Sequence, residues 1–95
     1  MEAAILYCVE EDDALLVRAL DDLTLIYHRP AGQTHLVVSP VPEILAALRE
    51  TGAASVETLH AAMARDFDLG EPAEALAAIE RQLRELAALG LVRAL

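Results

Sequence analysis

Tryptophan is absent from this chain, and its 95 residues include one cysteine, one phenylalanine and two tyrosines. A single cysteine excludes an internal disulfide and suits a reducing, cytoplasmic setting. The four glycines are scattered singly, so no Gly-rich loop is present to cradle a phosphate. No apolar run reaches the roughly 18 residues of a membrane span. The N-terminal run at 3–9 has no basic segment before it and acids after it, so it does not read as a signal peptide. Basic residues are few. Lysine and arginine total 7 against 16 carboxylates, a net charge of -9. Residues 1–22 carry Glu2, Glu10, Glu11, Asp12, Asp13, Asp21 and Asp22 against Arg18 alone, a net -6. Such a field repels nucleic acid and anionic membranes, which bind through cationic side chains. It favours a basic partner, or is simply a solvated surface.

What the chain does hold is apolar residues, 56% of the total, with a mean hydropathy of +0.38. Much of this is alanine. A chain of this length makes one domain, 1–95, and buries roughly 60% of its unfolded surface. Apolar surface left outside such a core usually marks a partner site.

Strand-formers gather in the first 38 residues. LTLIYHRPAGQTHLVV, residues 23–38, reads as two strands joined by a turn at Pro30-Ala31-Gly32-Gln33. Pro30 pre-sets the turn and Gly32 takes the positive φ it needs. Residues 15–20, LLVRAL, form an earlier strand, with Asp21-Asp22 as the turn between. Residues 3–9, AAILYCV, are an N-terminal arm or an extra strand. This turn position predicts His28 opposite His35, Tyr27 opposite Leu36, and Ile26 opposite Val37. One face then carries Leu23, Leu25, Tyr27, Leu36 and Val38. It is the greasier face and is expected to cover the core.

After Val38 the period becomes helical. Ser39 is the expected N-cap and Pro40 the first helical residue, with Gly52 ending the helix near Thr51. Ser55 caps a second helix, 56–67, on Val56, Leu59, Met63 and Phe67. Pro72 opens a third, to about Leu89, with a stripe of Leu76, Ile79, Leu83 and Leu86. Glu80–Arg84 and Arg81–Glu85 are expected as outer i, i+4 pairs. Residues 91–95 are an extended tail. Three strands and then three helices predict an α+β, winged-helix-like domain.

The run from Asp22 to Ser39 resembles the hairpin of the PqqD-like family, small peptide-binding chaperones of modified-peptide biosynthesis. It is similar in particular to the PqqD-type proteins of the HPr-rel-A gene system. The likeness rests on Asp22, Ile26-Tyr27, Ala31-Gly32, Thr34-His35-Leu36, Pro40, Ile44-Leu45 with Leu48, Ser55 with Leu59, and the closing Leu86-Ala87-Ala88-Leu89-Gly90-Leu91-Val92. It covers roughly residues 15–93. The tryptophans expected near the N-terminus are missing, and residues 3–9 stand where that arm would be.

The resemblance implies a bacterial, cytoplasmic recognition domain without catalysis or cofactor, a RiPP recognition element. A precursor or leader peptide would add as a strand to the open edge of the third strand, beside the third helix. Carried over, the peptide-binding residues are Thr34, His35, Leu36, Val37, Val38, Leu76, Ile79, Glu80 and Leu83. The bound peptide would be presented to a partner modifying enzyme. The physical basis stands without the family, because an unpaired edge offers backbone groups that bind a peptide with little demand on its sequence.

Other chemistry finds less support. His28 and His35 together could ligate a metal, but no third ligand is evident. Cys8 lies in an apolar run with no adjacent base. Residues 10–13 lack the spaced ligands and glycine of a calcium loop. A DNA-reading third helix should be basic, whereas this one carries Glu74, Glu80 and Glu85. Two alternatives to the adaptor stay open. One is a homodimer or larger oligomer that uses the open edge through residues 3–9. The other is an acidic winged-helix regulator.

Overall fold

A computed structural model describes residues 5–9 and 15–95 of the chain. The readings of residues 3–4 and of the acidic segment 10–13 lie outside the described residues. The elements run β1 (Tyr7–Val9), β2 (Leu15–Leu20), β3 (Leu23–His28), β4 (Gln33–Val37), α1 (Val41–Thr51), β5 (Ala53–Ala54), α2 (Val56–Ala64), α3 (Pro72–Ala88) and β6 (Val92–Ala94). The fold is α+β and winged-helix-like, with an antiparallel sheet β2-β3-β4 leading into three helices. A second sheet, β5-β1-β6, joins the two ends of the chain. There Tyr7 pairs with Ala54 on one side and Ala94 on the other. The tail expected at 91–95 is therefore partly a strand, and Tyr7–Val9 is held within its own chain.

The helices form where the apolar spacing asks for them. Ile44, Leu45 and Leu48 of α1, Leu59 and Met63 of α2, and Ile79, Leu83 and Leu86 of α3 make the core. Gly52 ends α1 at φ 88, a conformation that is strained for any residue with a Cβ, and its N–H donates to the Leu48 carbonyl at 2.8 Å. The Ser55 hydroxyl caps α2 by accepting from the Thr58 N–H at 3.2 Å.

Three local expectations are corrected. The N-cap of α1 is Pro40, not Ser39, and Pro42 is the proline in the first turn. The Ser39 hydroxyl donates instead to the Glu43 carboxylate at 3.0 Å. Helix α2 stops at Ala64, and Phe67 lies beyond it, 49% exposed. Of the two pairs expected on α3, Glu80–Arg84 closes at 2.9 Å, and Arg81 and Glu85 form none.

The hairpin register is corrected as well. The loop is residues 29–32, with the Gly32 N–H donating to the Arg29 carbonyl at 3.2 Å. Pro30 thus occupies the second turn position, where its fixed φ fits best, and Gly32 sits at φ 64. Moving the loop centre back by one residue shifts the register by two. His28 pairs with Gln33 and His35 with Ile26. A two-residue shift keeps each side chain on its face, but the face that meets the core is the opposite one. Thr24, Ile26 and His28 are buried, and His35 and Val37 half-buried. Leu23, Leu36 and Val38 point outward and are exposed. The reason is that Tyr7, Ala54 and Val92 of the small sheet already close much of the core. The larger sheet supplies only Ile26, Leu15 and a flank of Val37, and overhangs the rest.

Candidate functional site: the open edge of β4

Strand β4 is terminal in its sheet, and among the described residues nothing pairs with its outer side. Which of its backbone groups face outward follows from the turns. Leu20 and Leu23 flank a two-residue turn, with Asp21 at φ 53, so they exchange both hydrogen bonds. Antiparallel pairs alternate, so the exchanging pairs of β2 and β3 are Leu20–Leu23, Arg18–Leu25 and Leu16–Tyr27. The other residues of β3 then bond β4, through Thr24–Val37, Ile26–His35 and His28–Gln33. This leaves the N–H and C=O groups of Thr34 and Leu36 directed away from the sheet.

The residues singled out from sequence fall into two groups. Thr34, Leu36 and Val38 are exposed, with Leu36 at 62%. His35 is half-buried, and so is Val37, which packs on the core. On α3, Leu76 is half-buried and Glu80 exposed, but Ile79 and Leu83 are buried in the core. Buried there, they are not open to a guest. Helix α3 packs chiefly on α2 and β6. The Glu80 carboxylate is partly engaged by Arg84.

Two imidazoles mark the inner side of this hairpin. His28 is 7% exposed, and its ring lies beside Gly90. Among the described residues, its Nδ1 and the Nε2 of His35 are buried without hydrogen-bond partners. The two residues are diagonal, not directly opposite. Among the described residues no group of three or more His, Cys, Asp or Glu converges. A cavity of about 390 Å³ lies elsewhere, between α1 and α2, lined by residues such as Glu43, Ala47, Met63 and Phe67. Sequence reading missed Phe67 as a surface aromatic, because its spacing fits a helix that stops three residues earlier.

No known family model matches the chain, and no curated protein matches it. A search of solved structures returns TbiB1 in complex with the TbiA(beta) leader peptide. The two superpose with a TM-score of 0.71 over 90% of this chain and 94% of TbiB1, at 17% sequence identity. The chain shares the TbiB1 fold. Among the described residues no helix is long and apolar enough to cross a membrane.

Proposed function

We propose that this chain is a non-catalytic peptide-recognition adaptor. A leader or precursor peptide adds as a strand to the free side of β4, and the adaptor presents it to a modifying enzyme. The observation that carries this reading is the unpaired edge, with the backbone groups of Thr34 and Leu36 facing outward. The fold shared with TbiB1, a protein solved with a leader peptide, supports it, as does the PqqD-like hairpin sequence. Up to four backbone hydrogen bonds form on docking, each worth a net 0.5–1.5 kcal/mol or so. Ordering the peptide offsets part of that, so side-chain contacts decide which peptide binds.

The acidic surface favours a basic residue on the guest, with Glu80 available once Arg84 swings away. The homo-oligomer alternative loses its expected arm, because Tyr7–Val9 is paired inside the chain. The regulator alternative lacks a basic reading helix. The test is amide titration of the labelled chain with leader segments of precursor peptides encoded beside it. Shifts should concentrate on residues 34–38 and on the Leu76–Glu80 side of α3. Shifts confined to the α1–α2 cavity, or none with any encoded peptide, overturn the proposal.

A further inference from the structure

The sheet has a second open edge. Strand β2 is its other terminal strand, and among the described residues nothing pairs with its outer side. By the alternation above, Leu16, Arg18 and Leu20 bond β3, so the backbone groups of Leu15, Val17 and Ala19 face outward. The Leu15 carbonyl is occupied, accepting from Arg49 Nη2 at 3.3 Å. Among the described residues Val17 and Ala19 have no such cover. Proteins usually blunt an edge of this kind with charged side chains, above all lysine, or with proline or a bulge. The chain has no lysine, β2 has no proline, and its pairing with β3 is unbroken over six residues. Its one charge is Arg18, and its other side chains are apolar on both faces, with Leu16 45% and Leu20 46% exposed on one and Val17 37% on the other.

We propose that this edge is a self-association surface, on which two copies of the chain join antiparallel through residues 16–20 into one six-stranded sheet. Symmetry and parity choose the geometry. Only outward-facing residues can exchange hydrogen bonds, so Val17 and Ala19 must meet Val17 or Ala19 of the second copy. This requires a twofold axis perpendicular to the sheet, with both outer faces on the same side. An axis at Ala19 would set Asp22 against Leu16 of the second copy. An axis at Val17 would require the Leu15 carbonyl that Arg49 holds. An axis at Arg18 pairs Val17 with Ala19 of the second copy and sets Leu16 beside its Leu20, twice. Apolar then meets apolar along the seam.

The association is weak for three physical reasons. Five paired residues span only about 17 Å, and such a strip falls short of the roughly 1,200 Å² of a standard stable interface. Each copy carries a charge of -9. Arg18 faces its own copy at the axis, and like charges directly opposite are destabilising. The dimer therefore tightens with added salt, because screening lowers the repulsion more than it affects backbone bonds. The two β4 edges remain free at the far ends of the six-stranded sheet, so this inference does not rest on the peptide-binding reading.

Sedimentation of the full chain from micromolar to millimolar concentration tests it. The dimer fraction should rise with concentration and again with salt. Ala19→Pro removes an outward N–H without touching the ladder to β3, and should raise the dimer dissociation constant by about tenfold or more. In a Cys8→Ser background, Arg18→Cys should form a disulfide dimer under mild oxidation, because a directly opposed non-hydrogen-bonded pair brings its Cα atoms to about 4.5 Å. Leu36→Cys in the same background should not. If Ala19→Pro fails to fold, the crosslinking comparison alone decides. A monomer at every concentration and salt, or crosslinking at Leu36 as efficient as at Arg18, overturns the proposal.

Discussion

Proline placed at two adjacent positions of β4 should have opposite consequences. At His35 the N–H bonds the Ile26 carbonyl inside the sheet, and Ile26 is fully buried. His35→Pro removes that bond, leaves a buried carbonyl unsatisfied and places a proline against the ladder. The unmet carbonyl alone costs about 1–3 kcal/mol, and the total should be about 3 kcal/mol. A domain of this size has roughly 5–15 kcal/mol to lose. At Leu36 the N–H faces outward and the side chain is 62% exposed. Leu36→Pro should cost no more than about 1 kcal/mol, since edge positions tolerate proline when the N–H faces solvent. With a urea m-value of about 1 kcal/mol/M, His35→Pro should lower the midpoint by about 3 M and Leu36→Pro by less than about 1 M.

Peptide binding should rank the two the other way round. Among variants that stay folded, Leu36→Pro loses a donor to the guest and should weaken binding about tenfold, whereas Leu36→Ala keeps the donor and loses less. Hydrogen exchange gives an independent check: the Thr34 and Leu36 amides should exchange fast in the free chain and become protected only with the guest. Equal urea midpoints for the two prolines, or slow exchange at Leu36 in the free chain, would refute the assigned strand polarity.

Three further outcomes are expected, each measured by urea denaturation. His28→Leu is close in volume and removes an imidazole nitrogen with no partner among the described residues, so it should stabilise the fold by about 1 kcal/mol; a loss of similar size would show that the nitrogen is satisfied in solution. Leu83→Ala empties a fully buried site and should cost about 2–5 kcal/mol. Ser55→Ala removes the α2 cap and should cost about 1 kcal/mol, with Ser55→Asp retaining most of it.

The helical half was legible because its spacing admits one reading. Ile79, Leu83 and Leu86 recur on a single stripe, and that stripe is buried. The sheet was less legible because both of its faces are apolar. Leu23, Leu25, Tyr27 and Leu36 look like a core face, and alternation alone cannot tell them from Thr24, Ile26, His28 and Val37. What decides is a second sheet that joins residues near 7, 54 and 93. Its strands are two or three residues long, and Ala53–Ala54 has little strand preference of its own. The register, by contrast, was within reach. Pro30 prefers the second position of its turn, and that preference alone sets the loop at 29–32. The candidate site was legible at β4 as an edge. Its helix side was not, since the stripe that marks α3 also marks the residues the core consumes.

That division shapes what a guest strand could be selected on. A guest beside β4 continues the pleat, so its side chains alternate between the faces of the sheet. Those level with Thr34 and Leu36 lie over the outer face, beside the exposed Leu36 and its cross-strand neighbour Leu25. Those level with His35 and Val37 lie on the core side. On α3, Ile79 and Leu83 are already buried, which leaves Leu76 and Glu80 as the proposed helix contacts. Discrimination among guests should therefore be modest per residue and spread over both faces, with backbone bonding as the constant term. Alanine replacement along a bound guest should show period two with shallow troughs. A single guest position worth more than about 3 kcal/mol would refute that even spread.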